Sequence, residues 1–163
     1  MKKLLLAAAM VVSLAFGGAA YAASVTDNLT VSATVGAACT VSTTPVDFGA
    51  YNETTGAPGN GSITATCTSL LPYNITLDAG GHYVVNRAVS NGTDTIDYLL
   101  YSDAGKTNEW GDLGFGGTYP FGAPVSAVGT GAADVYVVHG DILAGPAVSA
   151  GNYSDTVLVT ITY

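Results

Sequence analysis

The run Gly151–Tyr163 places Val157, Val159, Ile161 and Tyr163 at a spacing of two, with Ser154, Thr156, Thr160 and Thr162 marking the opposite face. That period belongs to a β-strand with one buried face, because successive strand side chains point to opposite sides of a sheet. An apolar strand of this kind must be paired, since a free edge templates aggregation. The remainder of the chain agrees with it. Thr, Val, Gly, Ser and Tyr dominate, Lys, Glu and Arg are scarce, and no stretch carries helical periodicity. The pattern predicts strands at Asn28–Val35, Cys39–Ser42, Gly61–Cys67, Tyr73–Ala79, Ile96–Ser102, Ala133–Ile142 and Ser154–Tyr163. Clusters such as Gly56-Ala57-Pro58-Gly59-Asn60-Gly61 and Gly114-Phe115-Gly116-Gly117 read as turns between them. Short strands with frequent turns predict an all-β, immunoglobulin-like β-sandwich without an internal linker.

The opposite end of the chain bears on location. Met1-Lys2-Lys3, an apolar stretch from Leu4 to Phe16 and Ala20-Tyr21-Ala22 have the form of a secretory signal peptide, residues 1–22. The mature chain is then residues 23–163, one domain, exported and without a membrane-inserted segment. It keeps two basic residues, Arg87 and Lys106, against twelve acidic ones, a net charge of −10 with histidine neutral. Nucleic-acid binding requires a basic footprint, which this composition excludes. Cys39 and Cys67 are the only cysteines, and in an oxidising compartment they are expected to form a structural disulfide. A redox pair would sit closer, as C-x-x-C.

Immediately after the cleavage site, Leu29, Val31, Ala33 and Val35 alternate with Asn28, Thr30, Ser32 and Thr34. Asp27 breaks the pattern upstream, so the apolar face begins at Leu29. Burying the three larger side chains in a groove would contribute roughly 5–9 kcal/mol before entropy is subtracted. The periodicity fits a first strand of the chain's own domain and equally an extension that completes a neighbour's sheet.

Other residue types point elsewhere only weakly. His82 and His139 are far apart in sequence and lack further ligands at metal-site spacing, so no metal is expected. The carboxylate pairs Asp94/Asp97 and Glu109/Asp112 have the composition of a glycosidase acid and base, yet acids on loops of an acidic chain are ordinarily solvated. No Gly-x-Ser-x-Gly elbow supports a serine nucleophile. The Asp103–Asp112 loop lacks the glycine and glutamate of a calcium-binding EF-hand. Trp110, the single tryptophan, suits the edge of a core better than a sugar platform. No catalytic residue and no cofactor is assigned.

Several blocks, in order, resemble the spore coat protein U domain family, which includes subunits of archaic chaperone–usher pili. They are Cys39-Thr40-Val41, Val46-Asp47-Phe48-Gly49-Ala50-Tyr51 and Ile63-Thr64-Ala65-Thr66-Cys67, then Tyr73-Asn74-Ile75-Thr76-Leu77 with Gly80-Gly81 and Arg87. Tyr98-Leu99-Leu100-Tyr101-Ser102-Asp103, Trp110-Gly111-Asp112, Tyr136–Ile142 and the terminal Gly-x-Tyr-x-Asp-Thr-Val follow. The resemblance implies an incomplete sandwich completed by a donor strand. A periplasmic chaperone would fill the groove first, and the N-terminal strand of the next subunit would replace it at an outer-membrane usher. Residues 23–35 would be the donor segment, with Leu29, Val31, Ala33 and Val35 as donor residues. Val157, Val159, Ile161 and Tyr163 would form the groove edge that pairs with the chaperone.

These observations predict a non-enzymatic structural subunit of a secreted surface fibre, a polymer of identical or related subunits, serving adhesion and biofilm formation. The alternatives are a self-complete spore-coat or extracellular-matrix protein, or a carbohydrate-binding domain. A hydrolase using the loop carboxylates is the third.

Overall fold

The computed structural model describes residues 22–163. The expected signal peptide, except Ala22, lies outside the described residues. The chain divides into a segment ending at Thr34 and a compact unit, Val35–Tyr163. Residues 22–34 contain neither helix nor strand, and Val25, Leu29 and Val31 are exposed. The strand expected at Asn28–Val35 is therefore not formed: an extended segment becomes a strand only when its N–H and C=O groups enter a ladder.

The compact unit holds eight strands: β1 (Cys39–Asp47), β2 (Ala57–Cys67), β3 (Pro72–Leu77), β4 (Arg87–Ser90), β5 (Thr95–Tyr101), β6 (Val125–Val128), β7 (Ala133–Ile142) and β8 (Val159–Thr162). They form a five-stranded sheet, order β1-β2-β7-β5-β4, and a three-stranded sheet, order β6-β3-β8, every pairing antiparallel. Among the described residues no helix is long and apolar enough to cross a membrane.

The core lies between the sheets. Ile63, Ala65 and Val138 face it from the larger sheet, Tyr73, Ile75 and Leu77 from the smaller. Trp110 is fully buried and donates its indole N–H to the Ile75 carbonyl at 3.0 Å, which gives it a central place rather than one at the core edge. Arg87 is also fully buried, and among the described residues no carboxylate pairs with it. Its guanidinium donates to the carbonyls of Asp78, Trp110 and Leu77 at 2.7, 2.9 and 2.9 Å, tying β4 to the end of β3 and to the Trp110 segment.

Three sequence expectations need correction. The glycine-rich cluster at residues 56–61 is not a turn, because β2 starts at Ala57 and pairs with β7 from there. Its glycines serve a close approach: a Cβ on Gly61 would lie 2.7 Å from the Thr44 carbonyl oxygen, and one on Gly59 would lie 2.6 Å from that of Asp47. Both contacts arise where β1, which runs past Ser42, breaks register between Thr44 and Asp47 and lays Val46 and Phe48 across β2. Second, β4 and β6 went unread, being four residues each and too short to show alternation. Third, the terminal strand is Val159–Thr162 rather than Ser154–Tyr163, although the alternation in burial reaches back to Tyr153. Ser154 bridges Ser90 at the edge of the larger sheet, and the chain then crosses to the smaller one. Asp155 holds the crossing. Its buried carboxylate accepts from the Tyr98 hydroxyl at 2.6 Å and the Gly81 N–H at 2.8 Å, with His82 Nδ1 at 3.1 Å.

Candidate functional site

The site follows from which strand edges remain unpaired. β3 packs over β7, since the Tyr73 and Tyr136 hydroxyls meet at 2.7 Å and Trp110 stacks edge-on to Tyr136. The Trp110 backbone N–H donates to the Leu100 carbonyl of β5, and Trp110 bridges Ala123, two residues before β6. So β6 lies on the β5 side of β3, and β8 lies on the other side, toward β2 and β1. The free edges of β1 and β8 consequently border the same flank of the sandwich.

On that flank the inward faces are poorly covered. Cys39, Val41 and Thr43 share a face of β1, opposite Cys67, Ala65 and Ile63 of β2, all three buried. Yet Val41 is 44% exposed and Thr43 is exposed, whereas the equivalent face of β2 is sealed. Across the flank, Val157, Val159 and Ile161 pack half-buried against the core, and Tyr163 is 58% exposed. Among the described residues β8 pairs with β3 alone, through Ile161–Ile75 and Val159–Leu77, and its outer N–H and C=O groups have no ladder partner there. A separate cleft of about 460 Å³ spans all three strands of the smaller sheet and has no lining from β1: Pro72, Tyr73, Asn74, Ser126, Ala127, Val128, Thr162 and Tyr163 surround it. Two uncovered inner faces and a free edge make a place for an extended segment with alternating apolar side chains.

The Cys39–Cys67 disulfide is formed, joining β1 to β2 at the end of the flank where the Cα atoms are 4.1 Å apart. Leu29, Val31 and Ala33 lie in the segment before the compact unit, and Val35 is its first residue, exposed. Val41 and Thr43 were missed by sequence reasoning as lining residues. The signal was present, because Cys39, Val41 and Thr43 alternate, but nothing in the alternation tells a covered face from an open one.

The polar residues considered for other chemistry are committed locally. Asp94 accepts from the N–H and hydroxyl of Ser149, which hold its carboxyl below the usual carboxylate range. Asp97 takes the Asn86 amide at 3.0 Å. Glu109 meets the Tyr119 hydroxyl, and Asp112 accepts the Tyr119 N–H at 3.0 Å. Asp103 closes its own turn through the N–H groups of Thr107 and Asn108, which lower its pKa. His139 bonds Asn60, and His82 faces Asp155, so the two histidines serve different neighbourhoods. Among the described residues no group of three or more metal-type ligands is assembled.

Comparison with known proteins places this geometry. Residues 25–160 match the Spore Coat Protein U domain. "Protein U" of Myxococcus xanthus is 32% identical over 164 residues, 88% of each chain. The fold is similar, at a TM-score of 0.58 and 22% identity, to the CsuC–CsuE chaperone–tip adhesion subunit pre-assembly complex from archaic chaperone–usher Csu pili of Acinetobacter baumannii. That match covers 80% of this chain and 40% of the solved one. With an all-β sandwich, the ordered sequence blocks and a family match over residues 25–160, the chain belongs to the spore coat protein U domain family.

Proposed function

We propose that this protein is a structural, non-enzymatic subunit of a secreted surface fibre of the chaperone–usher type, assembled by donor-strand exchange and serving adhesion and biofilm formation. The observation that carries the reading is the open flank, where the inner face of β1 at Val41 and Thr43 and the free edge of β8 border one side of the core. The donor is the segment at residues 23–35 of the next subunit, placing Leu29, Val31, Ala33 and Val35 in the groove. Backbone bonds to β8 supply affinity, and the period-two side chains set register. A head-to-tail exchange does not close on itself, so it propagates a fibre. Before assembly, a periplasmic chaperone occupies the groove and pairs with Val157, Val159, Ile161 and Tyr163, and an outer-membrane usher exchanges it for the donor. Residues 1–22 direct export and 23–163 form the mature subunit. Family membership and the likeness in fold support this reading.

The test compares the mature chain with a form lacking residues 23–35. The mature chain is expected to polymerise or lose structure when no chaperone is present. The truncated chain should still be captured by a chaperone yet form no polymer. A mature chain that stays a folded, stable monomer with no partner would overturn the groove. That result would favour a self-complete coat protein, the reading the family's description as a spore coat domain supports.

A further inference from the structure

The compact unit begins at a turn with two unusual features. Beyond the disulfide, the Thr68 side chain extends the β1–β2 ladder: its hydroxyl accepts the Ala38 N–H at 3.1 Å and donates to the Gly36 carbonyl at 3.1 Å, while the Thr68 N–H donates to the Ala38 carbonyl at 2.9 Å. A Cβ built on Gly36 would find no atom within 4 Å, so these bonds rather than packing hold the chain there. Two residues further on, Leu70 has φ of 64° and is 83% exposed. A bulky L-residue in the left-handed region is strained, and such strain persists only where the surroundings enforce it. Gly129 enforces it, accepting the Leu70 N–H at 2.8 Å and donating to the Leu71 carbonyl at 2.8 Å. Glycine or asparagine would fit this backbone better, and the exposed leucine side chain does not repay the conformation by burial within its own domain.

We propose that the Thr68–Leu71 turn is a body-to-body contact in the assembled polymer, and that its partner is a second copy of this chain. The inference rests on the fibre reading. If Val35 is the last donor residue, Gly36 is already bonded to its own body, and the joint has no slack. The neighbouring body is then held about one residue from Thr68, close to the exposed Leu70 side chain. Charge permits the approach. Residues 61–77 and 124–133 contain no carboxylate, ammonium or guanidinium group, and Asp134, which borders them, accepts from the Thr130 hydroxyl, whereas the mature chain carries two bases against twelve acids and would repel its copy elsewhere. Pro72 and Val128, paired in the β3–β6 register and both exposed, extend the apolar surface beside Leu70.

The variants Leu70→Gly and Thr68→Val test the joint on polymers grown from the mature chain and measured by electron microscopy. Leu70→Gly removes the side chain while relieving the backbone, so the subunit should melt no lower than wild type. Its fibres should form but bend more, with persistence length reduced at least twofold. Thr68→Val should soften fibres likewise, and Thr68→Ser, which keeps the hydroxyl, should restore stiffness. Should either variant misfold, Leu70→Asn, which tolerates the same backbone, carries the measurement. Variant fibres as stiff as wild type would overturn the joint and leave donor-strand assembly standing. If wild type forms no polymer at all, the fibre reading fails and the joint fails with it.

Discussion

The guanidinium of Arg87 lies 3.8 Å from the centre of the Tyr119 ring, and its N–H groups are spent on three backbone carbonyls. A buried cation is thus satisfied by dipoles and a π-face instead of by an acid. Tyr119 in turn reaches Glu109 through its hydroxyl and packs edge-on against Tyr83 and Phe121. Through one side chain, β4, the end of β3 and the Trp110 segment become a single packed unit.

Arg87→Met should therefore destabilise strongly, because it leaves the buried carbonyls of Leu77 and Trp110 and the part-buried one of Asp78 without their donor. The expected loss is about 3–5 kcal/mol, given ~1–3 kcal/mol for each buried polar group left unsatisfied and partial relaxation of the rest. Arg87→Lys should recover only part, since an ammonium cannot reproduce the planar fork. Urea denaturation of the chaperone-bound or donor-complemented protein measures both.

Reduction of Cys39–Cys67, or the double change to alanine, should lower stability by about 3–4 kcal/mol for a closed loop of this size in the chain-entropy treatment. The sequence separation is 28, and the bond anchors the exposed strand β1 to β2 at its first residue pair. Thermal melting with and without reductant checks it. A drop far smaller than the one measured for Arg87→Met would mean that β1 is held chiefly by its ladder.

Gly61→Ala should detach the bulged half of β1. The added methyl would lie 2.7 Å from the Thr44 carbonyl and 2.8 Å from Val46 Cγ2, and backbone cannot give way cheaply. A cost of about 1–3 kcal/mol follows from overpacking. Hydrogen exchange should show faster opening at Thr44–Asp47 while β5 and β7 remain protected.

Alkali should unfold the domain while moderate acid should not. Burial raises the phenols of Tyr73, Tyr98 and Tyr119 far above the usual value near 10, with hydrogen bonds to Tyr136, Asp155 and Glu109 adding to the shift. A group whose folded pKa is raised supplies stability below its unfolded pKa and loses it as pH rises above that value, so stability should fall from about pH 10 upward. Asp94 and Asp103 are shifted down, so their contribution persists until pH falls below about 4 and disappears as they protonate. Phenolate absorbance followed alongside circular dichroism should show these tyrosines ionising only with unfolding.

Individual elements differ in how much of them could be read from residues alone. The strand Ala133–Ile142 was legible to its ends, because it alternates beneath a sheet and is bounded by a glycine turn and by Leu143-Ala144-Gly145. Ala57–Gly61 was not, since its glycines look like turn residues until Val46 and Phe48 are seen lying across them. Nothing in its sequence neighbourhood marks Arg87 as core, and three carbonyls with the Tyr119 ring, converging from distant positions, make it so. Asp155 reads as part of the terminal strand, but Tyr98 and Gly81 draw its carboxylate inward and thereby shorten that strand.

Alternation at Val157, Val159 and Ile161, and at Leu29, Val31 and Val35, is a property of a single segment, so the sequence by itself determined that these stretches suit the face of a sheet. The cysteine pair and the ordered blocks of the family were equally legible. Whether the faces are covered was decided by tertiary structure. That depends on β6 taking the β5 side of β3, which leaves β8 and β1 at the edges of one flank. Strand order comes from long-range pairing and packing, whose energies no local period encodes.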